Sequence, residues 1–312
     1  MMKVLNQKIT DDYALYHGDS VEVIQGIPDN SIHYSIYSPP FDSLYTYSNS
    51  DRDMGNSAKG EFSKHFKFLA KELHRVIKPG RLMSFHCMNL PTSKARDGYI
   101  GIRDFRGELI RVFEEVGFVF HSEVCIWKDP VVAQQRTKAL GLLHKQLVKD
   151  SAMSRQGIPD YLVTMRKLGE NDEPIEGGFD HYAGDLPEPT AKKGDKMDRL
   201  NRYSIEVWQR YASPVWMDIN PSCTLQYKSA REDEDEKHIC PLQLDVIERA
   251  LQLWTNEGDT VLTPFLGIGS EVYQAVKMNR KGIGIELKES YFKQACRNVE
   301  MALQERKQQT LF

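Results

Sequence analysis

Two short segments, far apart in the chain, carry side chains arranged for chemistry. Thr263-Pro264-Phe265-Leu266-Gly267-Ile268-Gly269-Ser270 reads as a strand end running into a glycine turn that opens a helix. Gly267 and Gly269 let the backbone approach a ligand without Cβ obstruction. The N–H groups and positive dipole end of the following helix suit a carboxylate or a phosphate. Downstream, Lys281-Gly282-Ile283-Gly284-Ile285-Glu286 sets an acid at the end of the next strand, where it can accept both ribose hydroxyls of an adenosine cofactor. The other segment, Ser38-Pro39-Pro40-Phe41, fixes a hydroxyl, two prolines and an aromatic ring at the carboxyl end of an apolar strand. Any X-Pro-Pro stiffens a strand exit. Beside the glycine turn it becomes a candidate site, because a hydroxyl and a carbonyl held between prolines can together accept the hydrogens of a planar amine.

The elements that must position these residues alternate as βαβ units. Strands are expected over Tyr13 to Tyr16, Ile32 to Tyr37, Leu82 to Cys87, Phe118 to Trp127, Asp160 to Arg166, Thr260 to Leu262 and Gly282 to Ile285. Phe62, Phe66, Leu69, Leu73 and Ile77 recur at helical spacing, with Pro79-Gly80 as the expected stop. Further helices are expected over Asp104 to Val116, Pro241 to Trp254, from the glycine turn through Val276, and around Tyr291 to Val299. The stretch from Glu170 to Asp198 is rich in Gly, Pro and charge and reads as a long loop or inserted module. The expected fold is a doubly wound α/β sheet, divided as 1–130, an insertion over 131–236, and 237–312.

The 312 residues are 40% hydrophobic and 27% charged, with a mean hydropathy of -0.51. This is the composition of a globular protein, with no apolar run of the roughly 18 residues a membrane span needs. Five widely spaced cysteines form no C-x-x-C pair, so a reducing cytoplasm is the expected setting. No signal-peptide apolar region opens the chain, and the histidines lack ligand spacing, so no metal is expected. The net charge is -3, yet 131–167 holds seven Lys or Arg against two Asp, which allows a local basic cleft.

With these motifs the chain resembles the S-adenosyl-L-methionine-dependent DNA amino-methyltransferases, which methylate adenine N6 or cytosine N4. Ser38-Pro39-Pro40-Phe41 precedes the glycine turn, which is the order of the β arrangement in that family. The resemblance implies a mixed seven-stranded, Rossmann-like methyltransferase sheet with an inserted target-recognition region. It implies that Ser38 and the Pro39 carbonyl accept the amine hydrogens while Phe41 stacks on a base flipped from the duplex. The cofactor set it implies is Asp19 toward the adenine, Glu286 toward the ribose, and Phe265, Gly267, Gly269 and Ser270 around the turn. His238-Ile239-Cys240-Pro241-Leu242 resembles the family segment that closes over the methionine part, through His238 and Pro241. Thr263 stands where the family often has Asp, supplying a hydrogen bond without the charge.

Serine at the head of the tetrapeptide is associated in the family with cytosine N4, and aspartate with adenine N6; the expected product is N4-methylcytosine, with adenine N6 as the alternative. An RNA methyltransferase or an inactive DNA-binding relative are further alternatives. A nicotinamide-dependent oxidoreductase would place its glycine turn after the first strand and has no use for Ser-Pro-Pro-Phe. DNA is the expected partner, contacted through Trp127, Lys128, Arg136, Lys138, Arg155, Arg199 and Arg202, with Tyr182, Tyr203, Trp208 and Tyr211 available for stacking. The resemblance also allows a homodimer, a cognate restriction endonuclease, and a bacterial or phage origin.

Overall fold

The computed structural model describes residues 4–41, 62–137, 142–176, 178–187, 202–226 and 241–309. In chain order the first half carries β1 (Asn6–Ile9), β2 (Tyr13–His17), α1 (Ser20–Val23), β3 (Ile32–Tyr37), α2 (Phe62–Val76), β4 (Ile77–Met88), β5 (Leu90–Pro91), α3 (Lys94–Asp97), β6 (Ile102–Arg103), α4 (Phe105–Glu115) and β7 (Phe118–Ile126). The rest carries α5 (Pro130–Thr137), α6 (His144–Lys149), β8 (Asp160–Lys167), α7 (Arg202–Tyr211), β9 (Val215–Trp216), α8 (Leu244–Trp254), β10 (Thr260–Thr263), α9 (Ser270–Lys277), β11 (Lys281–Glu286) and α10 (Glu289–Gln309).

The main sheet has the order β1-β2-β11-β10-β3-β4-β8-β7-β9. Seven strands, β2 to β7 in that order, form the expected mixed sheet, and the short β1 and β9 extend it at either edge. From β2 to β4 neighbours are parallel, while β8 runs antiparallel between β4 and β7. β3 leads through α2 to β4 on one side, and β10 leads through α9 to β11 on the other. The topology therefore switches between β10 and β3, where open α/β sheets hold their ligands.

Both faces of the central strands are covered, so these strands read as nearly unbroken apolar runs. Tyr37, Met83, Phe85, Val163 and Met165 pack under Phe62, Phe66, Leu69 and Leu73 of α2 and Phe105, Leu109 and Phe113 of α4. The alternate side chains Tyr34, Ile36 and Leu162 meet Val246, Ile247 and Ala250 of α8. The α2 contacts recur at three and four residues, as its sequence predicts. One expectation is corrected: Pro79-Gly80 does not stop this helix. α2 already ends at Val76, and the dipeptide lies within β4, where the pairing with β3 slips between Ile32 and Tyr34. Gly80 takes φ +73°, and a Cβ there would collide with backbone at Glu170 and Asn171. The helix on Pro241 also starts later, at Leu244.

A buried ion pair fastens Asp218, with Tyr182, Tyr211 and Trp216 around it, to α8. Arg249, fully buried, bonds Asp218 through two nitrogens at 3.0 and 2.7 Å and lies against the rings of Tyr182, Tyr211 and Trp216. Tyr182 donates its hydroxyl to the same carboxylate. Breaking one half of such a pair leaves an uncompensated buried charge, at about 3–5 kcal/mol. Arg249→Met is therefore expected to lower the unfolding temperature by roughly 10 °C, measured by calorimetry; an unchanged transition would mean that the pair does not hold the fold together.

Candidate active site

The parallel strands bring their carboxyl ends to one edge of the sheet. Asp19 follows β2, Ser38 follows β3, Thr263 ends β10 and Glu286 ends β11. β8 runs the other way, so its first residue, Asp160, lies at the same edge as His86 near the end of β4. Residues some 250 positions apart in the chain thus meet at the switch point. The glycine turn and the tetrapeptide sit side by side: Ser35 donates to the Leu262 carbonyl at 2.9 Å, and the rings of Tyr37 and Phe265 are 5.7 Å apart.

At the turn, Gly267 (φ +53°) and Gly269 (φ +93°) both take the left-handed backbone that glycine favours, but for different reasons. A Cβ on Gly267 would meet nothing within 4 Å, so this side of the turn is an open cradle. A Cβ on Gly269 would press on Ala295 and Val299 at 3.2–3.3 Å, so this glycine serves the packing of α10. Glu286 accepts from the backbone N–H groups of Gly267 and Lys288, each at 2.8 Å, and so holds the turn against the end of β11. Asp19 caps α1, accepting from Val21 N at 2.9 Å. Ser20 donates to the Pro264 carbonyl, and Gly18 N to the Glu286 carbonyl at 2.9 Å.

The hydroxyls of Thr263 and Ser270 are buried and have no hydrogen-bond partner. Unpaired buried polar atoms cost free energy, and two of them flanking an open glycine cradle fit a ligand that brings its own amino and carboxylate groups. Pro241 lies half-buried just before α8, while His238 falls outside the described residues.

In the tetrapeptide, Pro39 and Pro40 are buried and Ser38 and Phe41 half-buried. The Phe41 ring lies 6.5 Å from His86, edge-on, and 6.4 Å from Phe105. Behind Ser38 stands a chain that local sequence does not reveal. Ser38 Oγ is 3.0 Å from His86 Nδ1, His86 Nε2 is 3.1 Å from Asp160 Oδ2, and Asp160 Oδ1 is 2.5 Å from Lys128 Nζ. Asp160 and His86 are both over nine-tenths buried. Burial pushes the Asp160 carboxyl up, but His86 and Lys128 outweigh it and hold it below its ordinary value. The signal for these residues was a polar side chain inside an apolar strand, at His86 and at the head of Tyr161-Leu162-Val163-Thr164-Met165.

The residues expected to face DNA are placed unevenly. Trp127 is 47% exposed at the same edge of the sheet. Lys128 is paired with Asp160. Arg155 is half-buried and donates to the Gln156 carbonyl at 3.0 Å, and Arg202 is exposed beside Glu206 at 3.3 Å. Arg136 lies on α5, but its side chain, like Lys138 and Arg199, falls outside the described residues. The stacking expectation is corrected for three of its four rings: Tyr182, Tyr203 and Tyr211 form a small core under α7, and only Trp208 is exposed. At the opposite end of the sheet His33, Glu173 and Asp259 converge, but Lys78 and Arg81 already pair with the two acids.

Glu271, in the first turn of α9, is buried and its carboxyl is pushed up to about 8 by burial, although its own backbone N–H favours the ionised form. A folded value above the unfolded one means that folding favours the protonated acid. That stabilisation is complete below the unfolded value near 4.5 and is lost as pH rises through about 8. Urea unfolding should thus show stability falling from pH 5 to pH 8 by on the order of a few kcal/mol, and Glu271→Gln should flatten the trend. Parallel slopes in the two proteins would show that Glu271 does not carry it.

A doubly wound sheet, with a glycine cradle and a strand-end acid on one side of the switch point and the rigid Ser38-Pro39-Pro40-Phe41 segment on the other, has the layout of a cofactor-dependent group-transfer site. The DNA methylase family, which comprises N6 and N4 methyltransferases, matches residues 32–297, and the chain belongs to it. The type II methyltransferase M.PvuII of Proteus hauseri is 32% identical over 305 residues, covering 90% of this chain and 82% of its own. M.BglII of Bacillus subtilis is 24% identical over 280 residues, 89% of this chain and 66% of its own length. Among solved structures, a DNA modification methylase of Thermus thermophilus in complex with S-adenosyl-L-methionine superposes with a TM-score of 0.63 over 93% of both chains, at 18% identity. The PvuII DNA methyltransferase, described as cytosine-N4-specific, superposes with a TM-score of 0.61 over 98% of this chain and 96% of its own; residues paired by that superposition are 17% identical. Among the described residues no helix is long and apolar enough to cross a membrane.

Proposed function

We propose that this protein methylates the N4 amino group of cytosine in DNA. The cofactor is S-adenosyl-L-methionine, which supplies an electrophilic methyl group on a positively charged sulfur. The observation that carries the reading is Ser38 at the head of the tetrapeptide, one strand away from the open side of Gly267. The similarity to M.PvuII, whose structure is described as cytosine-N4-specific, supports the choice of base.

Each residue has a defined task in this reading. Gly267 leaves room for the cofactor, and the N-terminus of α9 faces its carboxylate. Thr263 and Ser270 give their unpartnered hydroxyls to its amino-acid part. Glu286 takes the ribose hydroxyls and Asp19 the adenine amine, while His238 and Pro241 close over the methionine part. Phe41 stacks on the flipped base. An exocyclic amine is a poor nucleophile because its lone pair is delocalised into the ring. Ser38 Oγ and the Pro39 carbonyl accept its two hydrogens, so the lone pair leaves the ring plane and points at the methyl group. The prolines fix that carbonyl before the substrate arrives, so catalysis rests on orientation.

The test is to incubate the protein with unmethylated duplex DNA and labelled S-adenosyl-L-methionine, digest to nucleosides and identify the product by mass spectrometry. N4-methylcytosine is expected. N6-methyladenine would overturn the base assignment while keeping the site. Label in RNA alone would overturn the substrate.

A further inference from the structure

We propose that His86, Asp160 and Lys128 form a proton relay behind Ser38, in which His86 receives through the serine hydroxyl the proton that the base amine must lose. The inference rests on Ser38 as the amine acceptor in the function proposed above, and adds where the proton goes. When the N–C bond forms, the S–C bond breaks and its electron pair leaves with the sulfur, so the base nitrogen gains positive charge. One N–H proton then passes to Ser38 Oγ while the hydroxyl's own proton passes to His86 Nδ1. The base is left neutral and the imidazolium is held beside Asp160. After product release the imidazolium returns its proton to solvent.

The geometry sets the direction of this chain. Asp160 is buried, ionised and clamped by Lys128 at 2.5 Å, so it can only accept. It faces His86 Nε2 at 3.1 Å, somewhat off the axis of the ring N–H. A carboxylate there stabilises the tautomer with its proton on Nε2 and leaves Nδ1 as an acceptor. Nδ1 is the atom 3.0 Å from Ser38 Oγ, so the hydroxyl donates backward and keeps its lone pairs for the amine. The logic is that of a serine–histidine–aspartate triad, with proton removal in place of nucleophilic attack. Arg106 of α4 and Glu123 of β7 pair with each other at 2.7 Å and act on Cys87, the next residue of β4, whose side chain alternates with that of His86. The neighbouring Cys87 is fully buried, and burial pushes its thiol up. His86 and Asp160 act through Ser38, so they are positioning residues.

Two measurements test the relay. In the cofactor-free protein, the ¹⁵N shifts of the His86 ring are expected to show a protonated Nε2 and a bare Nδ1, and Asp160→Asn should move the proton to Nδ1. In single-turnover methylation between pH 5 and 8.5, the rate should fall on the acid side as His86 becomes protonated. His86→Asn should lower the rate by about 10²-fold, abolish that acid limb, and leave the Kd for S-adenosyl-L-methionine and the unfolding temperature nearly unchanged. A proton on Nδ1 in the free protein, or an acid limb that survives in His86→Asn, would overturn the relay. The ring tautomer decides this without turnover, whereas a wild-type protein that methylates no DNA would overturn the underlying function instead.

Discussion

Ser38→Ala is expected to reduce methyl transfer by about 10²–10³-fold while leaving the affinity for S-adenosyl-L-methionine within twofold of wild type. The hydroxyl is one of two acceptors that draw the amine lone pair out of the ring. Removing one preorganised hydrogen-bonding group at a reacting centre costs on that scale. Cofactor affinity should be spared because Ser38 follows β3, whereas the glycine turn and Glu286 belong to β10 and β11. Pro39 and Pro40 are buried, so the backbone around position 38 is held independently of the hydroxyl. Single-turnover rates and cofactor titration by calorimetry separate the two effects. A large loss of cofactor affinity would contradict this division of labour between the two sides of the switch point.

The second large effect is expected at Gly267, where valine should weaken cofactor binding by at least about 100-fold, or roughly 3 kcal/mol. The loss comes from the space the side chain takes, because it would project into the open cradle in which the cofactor is proposed to lie. A β-branched residue at φ +53° is also strained by about 1–3 kcal/mol, but that cost is the same with and without cofactor and falls on folding. Nothing lies within 4 Å of a Cβ at this position in the free protein, so the fold should survive with a modest drop in unfolding temperature. Gly258 offers a matched control, because it takes φ +83° and is likewise open around its missing Cβ, but lies in the turn before β10. Gly258→Val should therefore show the strain without the loss of cofactor affinity. Equal affinities in the two variants would mean that the cradle is not where the cofactor lies.

The parts of the site legible in the sequence share one property, namely that each is a local motif. The glycine turn, the acid after the next strand and the rigid tetrapeptide declare themselves within a few residues, because backbone geometry demands glycine or proline at fixed offsets. His86 and Asp160 carry no such mark. A lone histidine in an apolar strand reads as a core residue until the partner strand is known, and that partner, β8, lies far downstream and antiparallel. The expected stacking tyrosines misled for the same reason. Basic and aromatic residues mixed in one stretch fit a nucleic-acid surface, yet Tyr182 and Tyr211 enclose the buried Arg249 instead. Pro79-Gly80 was misread because a breaker dipeptide also serves an irregular strand start, and only the pairing of β3 with β4 shows which role it has.

By itself the sequence determined the doubly wound class, the two motifs and their order, and the cofactor chemistry they imply, because periodicity and turn residues are fixed by short-range sterics. Tertiary structure alone decided that the motifs meet at the gap between β10 and β3, that Gly267 faces open space while Gly269 packs on α10, and that a buried aspartate stands behind Ser38 through His86. Those outcomes depend on strand order and register, which arise from burying both faces of the sheet at once and cannot be read from any one segment.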